Sequence, residues 1–122
     1  MSNRENFATL TGMHEMSITQ SVVDICTEHA GGQRVLSVIL EIGELSGVVP
    51  EAVEFCFQAC TAETLLEGAQ LTIEHVTPQA DCLDCGASSR ISSYFDPCPA
   101  CGSHRLQIVR GEELRVKELE VA

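Results

Sequence analysis

Tryptophan is absent from this 122-residue chain, and one tyrosine and four phenylalanines are its only aromatic side chains apart from histidine. Single-stranded nucleic acid is bound by stacking bases on several exposed rings, so such platforms are poorly supplied here. Basic side chains are scarce as well: seven Lys and Arg stand against 18 Asp and Glu, and the formal charge of −11 repels phosphate backbones and anionic headgroups. Nucleic acid is therefore not an expected partner. No window approaches the roughly 20 apolar residues that cross a bilayer. Residues 1–12, MSNRENFATLTG, hold neither the apolar stretch nor the cleavage site of a secretory signal. A cytoplasmic protein without membrane association is the expectation. No P-loop, no GxSxG elbow and no Cys-His pair that the sequence can place together is present, so the chain is not expected to be an enzyme.

Hydrophobic residues make up 44% of the chain, enough for one modest core. Ser17 and Gln20 have capping-box spacing, and Ile18, Val22, Ile25, Cys26 and His29 follow one helical face until Gly31 and Gly32, which predicts a helix over 17–30. RVLSVILEIGEL alternates Val38, Leu40 and Ile42 and predicts a strand. Pro50 suits a helix start, and Val53, Cys56, Phe57 and Cys60 stripe a second helix running to about Leu66. AQLTIEHVT reads as a strand ending at Pro78, and LQIVRGEELRVKELEVA as a last strand whose apolar parity slips between Val116 and Leu119, the mark of a bulge. Free cysteines on apolar stripes (Cys26, Cys56, Cys60) read as small core hydrophobes, and His29 and His75 as core or edge residues.

Between the last two strands lies CLDCGASSRISSYFDPCPACGSH, with Cys82, Cys85, Cys98 and Cys101 in two C-x-x-C pairs. Two intervening residues bring both sulfurs of a pair to adjacent corners of a tetrahedron, and Gly86 and Gly102 permit the tight turn after each pair. In a reducing compartment this spacing argues for metal over disulfides, with Zn2+ as the expected structural ion and iron as the chemical alternative. His104 is read as an exposed loop residue, because four thiolates complete the shell. With little apolar material between Ala80 and Arg105, the segment needs its metal to fold.

The stretch MHEMS places His14 beside Glu15 just ahead of the first helix. This run, with VILEIGELSGVVPEAVEFCF, EGAQLTIEHV, CLDCG to CPACGS and a closing ELRVKELEV, resembles the HypA/HybF family of hydrogenase maturation nickel metallochaperones over residues 13–122. The resemblance implies an α+β fold: a small three-stranded sheet with two helices as the nickel-binding domain (13–77 plus 108–122), and an inserted zinc-ribbon-like domain (78–107) built on the four cysteines. Residues 1–12 would be a polar extension preceding a start at Met13. It further implies Ni2+ cargo held by Met13, His14 and Glu15, zinc held by Cys82, Cys85, Cys98 and Cys101, and the HypB GTPase and the [NiFe]-hydrogenase large subunit as partners. Urease maturation proteins are a second destination in that reading. Family members can recruit a side chain after GELSG, where Val48, Val49 and Pro50 offer none and Glu51 is a candidate. A homodimer through the last strand is a further expectation. The rival reading is a zinc-ribbon protein-interaction adaptor without nickel transfer.

Overall fold

A computed structural model describes residues 15–122. Met13 and His14, two of the three expected nickel ligands, lie outside the described residues, as does the 1–12 extension. The first helix, α1 (Glu15–Ala30), buries Ile18, Val22, Val23 and Cys26 and ends at Gly31 and Gly32, both at positive φ. Its start departs from the expected capping box. Ser17 lies inside the helix and is exposed, and Gln20 donates to Asp24 at 3.0 Å. Glu15 instead opens the first turn, where a carboxylate suits the helix dipole, and its carbonyl accepts from the Thr19 hydroxyl at 2.6 Å.

Strand β1 (Val35–Gly43) follows, then a 3-10 turn (Glu44–Ser46), helix α2 (Pro50–Thr61) and strand β2 (Gln70–Val76). Pro50 occupies the first turn as expected, but α2 stops well before Leu66. Ala62 turns extended and Glu63 takes φ 60°, while the Thr64 hydroxyl donates to the Thr61 carbonyl at 2.7 Å and accepts from the Leu66 amide at 3.0 Å. This turn drops Leu66, fully buried, into the core. β1 and β2 pair in parallel across the α2 crossover, and β6 (Leu114–Val121) pairs antiparallel on the other side, giving the order β2-β1-β6. The expected bulge is present: Ile39 pairs with Glu118 and Leu40 with Val116, which leaves Lys117 unpaired and turns both Val116 and Leu119 toward the helices. Val38, Leu40 and Ile42 of β1 and Val53 and Phe57 of α2 complete that core.

The cysteine segment builds its own antiparallel sheet, β4-β3-β5, from β3 (Gln79–Cys82), β4 (Ser88–Arg90) and β5 (Leu106–Arg110). The single closing strand expected over 106–122 is thus two strands. Gly111 separates them at φ 113°, and the boundary expected after residue 107 falls inside β5. The two sheets meet at a junction with no room for side chains. A Cβ on Gly43 would lie 2.1 Å from the Gly111 carbonyl oxygen, and one on Gly111 would lie 2.6 Å from Pro78 Cα. Around them the Gly43 amide donates to the Glu113 carbonyl at 2.7 Å and the Leu45 amide to the Gly111 carbonyl at 2.8 Å.

Tyr94, in the cysteine segment, donates its hydroxyl to Glu112 of this junction at 2.5 Å. Burial, then the hydrogen bond and charge of Glu112, push the phenol up to about 12. Because the folded value is raised, the contact is fully present below the ordinary phenol range and is lost as pH rises through the folded value. As the only tyrosine, in a chain without tryptophan, it reports cleanly. Its phenolate absorbance should titrate above that of the denatured chain, and Glu112→Gln should narrow the gap without closing it, since burial remains; coincident curves in the unsubstituted protein would refute the contact.

Candidate metal centre

Strand β3 ends on Cys82, and the chain reverses so that the Gly86 amide donates to the Cys82 carbonyl at 2.9 Å, with Gly86 at φ 78°. The second pair repeats this geometry: the Gly102 amide donates to the Cys98 carbonyl at 2.8 Å, with Gly102 also at φ 78°. Two such turns face each other. Cys82 and Cys101 place their sulfurs 3.6 Å apart, Cys85 and Cys98 3.7 Å, and all four sulfurs lie within 4.8 Å of one another. Metal–sulfur bonds of about 2.3 Å in a regular tetrahedron put sulfurs about 3.8 Å apart, so the cluster fits a four-coordinate zinc. Among the described residues no other group of three or more His, Cys, Asp or Glu side chains converges in this way.

Electrostatics divides each pair. Cys82 is lowered to about 6, chiefly by the Cys85 amide, whose nitrogen lies 3.4 Å from its sulfur. Cys98 is lowered chiefly by the Cys101 amide and then that of Ala100. Cys101 moves the other way, to about 12: the Ser103 amide pulls it down, but the hydrogen bond to Cys82, burial and the two remaining thiols outweigh that pull. Cys85 is raised in the same manner. Within each turn one thiol is lowered and the other raised, and because a metal takes all four as thiolates, metal uptake releases protons.

One part of the centre was not anticipated from the sequence. Asp84, between the first two cysteines, accepts from Arg105 Nη1 at 2.8 Å and from the Ser103 hydroxyl, tying the first turn to the chain beyond the second. A C-x-D-C pattern makes an acid available, but only the folded loop shows what it holds.

The remaining candidates are placed as follows. His104 is exposed and stands outside the cysteine cluster. Cys26 is a buried core thiol pushed up to about 11 by burial, and Cys56 is also buried. Cys60, partly buried on α2, points its sulfur at Met16 Sδ, 3.3 Å away on α1. His29 and His75 are exposed, His29 in the last turn of α1 and His75 on the edge strand β2. Glu15 is half-buried at the head of α1, and Glu51 is exposed in the first turn of α2. Neither belongs to a converging ligand group among the described residues.

The family described as "Hydrogenase/urease nickel incorporation, metallochaperone, hypA" matches residues 13–121. The hydrogenase maturation factor HypA of Geobacter metallireducens is 66% identical over 109 residues, spanning 89% of this chain and 99% of that protein. Its counterpart in Geobacter sulfurreducens is 64% identical over the same shares of both chains. Among solved structures, the Ni metallochaperone HypA from Helicobacter pylori aligns with a TM-score of 0.65 at 27% identity, covering 89% of this chain and 97% of that one. A solution structure of a HypA protein aligns at 0.67 and 28% identity, over 91% and 98%.

Proposed function

Because the chain belongs to the HypA family of nickel-incorporation metallochaperones, we propose that it takes up Ni(II) at Met13, His14 and Glu15 and delivers it during [NiFe]-hydrogenase maturation. Cys82, Cys85, Cys98 and Cys101 hold a structural zinc. Residues 78–110 form the zinc unit, and 13–77 with 111–122 form the nickel-binding unit. The observation that carries this reading is the four-sulfur cluster, whose spacing suits zinc and leaves no open position for cargo. Zinc supplies a fixed crosslink there and nothing more.

Nickel needs a different donor set. In a chain starting at Met13, the α-amine, the His14 amide nitrogen and the His14 imidazole form fused chelate rings, a field that favours square-planar or tetragonal Ni(II). Soft tetrahedral thiolates and a nitrogen-rich head separate two metals in one small protein. Protons compete for amine and imidazole, which makes the cargo releasable. The work is binding and release, with no covalent bond made or broken, so no catalytic residue is assigned. The HypB GTPase and the hydrogenase large subunit are the partners in this reading, with urease maturation proteins as a second route.

The test is nickel titration of the zinc-loaded protein, run for the chain as given and for one starting at Met13. One tightly bound Ni(II) is expected in the Met13 form, lost in His14→Ala while zinc stays in place. If neither form binds nickel and both keep zinc, the zinc-ribbon adaptor replaces this reading.

A further inference from the structure

The charge of the chain is unevenly spread. Residues 78–110 are neutral, with Asp81, Asp84 and Asp96 matched by Arg90, Arg105 and Arg110, so the full −11 rests on the remainder. No Lys or Arg occurs between Arg34 and Arg90, and all of α2 lies in that interval. This helix buries Val53, Cys56 and Phe57 against the core. On its other side Ala52, Phe55 and Ala59 follow at spacings of three and four, the spacing by which helices pack on one another. Phe55 is 80% exposed, and Val49, just ahead of the helix, is 50% exposed. Glu51, Glu54 and Gln58 flank the stripe, all exposed.

We propose that this outward face of α2 docks a basic amphipathic helix of a partner protein. Three features select that occupant. The small residues on either side of Phe55 let a second helix approach to the 8–10 Å typical of packed helices, with the ring as the aromatic anchor of the contact. The acidic flank has no cation on its own helix and asks for Lys or Arg from outside. The same charge disfavours a second copy of this face and an anionic membrane surface. The position is also informative. Cys60, one residue beyond Ala59, lies 3.3 Å in sulfur-to-sulfur distance from Met16, itself two residues beyond His14. A helix seated on the stripe lies beside the start of α1, where the metallochaperone reading puts the cargo, and the inference rests on that reading only for what the contact is for.

The test uses the zinc-loaded full chain, labelled with 15N and titrated with an amidated amphipathic peptide of leucine and lysine. Shifts are expected to cluster on α2 and the head of α1, and Phe55→Ala should weaken binding at least about tenfold, or about 1.4 kcal/mol. A leucine and glutamate peptide should not bind, and added salt should weaken the lysine peptide. Because Phe55 is exposed, the variant should keep the thermal midpoint of the unsubstituted chain, which separates loss of docking from loss of fold. Shifts centred on the open face of the first sheet, or equal binding by Phe55→Ala, would mean diffuse charge attraction and overturn the proposal. A dimer in light scattering that Phe55→Ala dissolves would give the face to a second copy and overturn it equally. Nickel titration of the form starting at Met13, run beside these samples, separates the two readings: peptide docking with no nickel uptake by that form retains the surface and removes the metallochaperone, and nickel uptake by it without docking does the reverse.

Discussion

A chain carrying Cys98→Ser is expected to lose its zinc and, with it, the fold of residues 78–110, while the helices and the β2-β1-β6 sheet stay formed. The only hydrophobic side chains buried in that segment, apart from Pro78, are Ala80, Cys82, Ile91 and Cys98. Burying a large aliphatic side chain gives about 1.5–3 kcal/mol, against about 1–2 kcal/mol of backbone entropy for every residue ordered. A structural zinc contributes about 10–16 kcal/mol of apparent binding energy to folding, far beyond what Ile91 supplies. The first unit has its own core of fourteen buried residues and does not draw on the metal. Metal analysis with residue-resolved amide exchange checks this: protection should vanish in β3, β4 and β5 and persist in β1. Dispersed, protected β3 amides in the zinc-free variant would refute it.

Gly43→Ala should be nearly as damaging, although it adds a single methyl group. Its Cβ would overlap the Gly111 carbonyl oxygen at 2.1 Å and the Gly111 carbonyl carbon at 2.2 Å, both backbone atoms that cannot rotate away. Gly111 is itself held against Pro78, so relief requires shifting the connection between the two sheets. The expected loss exceeds about 4 kcal/mol, a range reached by few substitutions. Urea unfolding followed by circular dichroism measures it, and a midpoint close to that of the unsubstituted chain would show that the junction yields more easily than its packing implies. Gly31→Ala serves as contrast: positive φ is strained there too, but nothing stands within 4 Å of the added atom.

Much of this architecture could be read from residue pattern. Alternation in β1 and the stripes of α1 and α2 located the core, and the parity slip in the last strand located the bulge at Lys117, because side-chain direction follows directly from local period. The cysteine spacing announced the four-sulfur cluster for the same reason: ligation geometry is local. What escaped depended on contacts across the chain. Ser17 matched a cap, but it lies inside the helix, where residues as early as Glu15 are already helical. The second helix was expected to run to about Leu66, yet it breaks at Ala62 and Leu66 reaches the core from a turn. Gly111 gave no sign that it divides two sheets, since its role is set by Pro78 and Gly43, far away in sequence. Asp84 likewise finds Arg105 only once both cysteine turns are closed.

The order of strands also bears on how the protein is made. Central strand β1 obtains one neighbour from β2, but its antiparallel neighbour β6 lies beyond the whole zinc unit, with Ser37 and Glu120, which share a hydrogen bond, 83 residues apart. During synthesis α1, β1, α2 and β2 leave the ribosome first, and one edge of β1 must wait unpaired while the cysteine segment emerges. An open edge on a strand as apolar as VLSVILEIG is a template for pairing with the wrong chain. Prompt zinc capture shortens that wait: closing residues 78–110 brings Gly111 back against Gly43 and delivers β6 to its place, so metal supply in the cell becomes a determinant of yield as well as of stability.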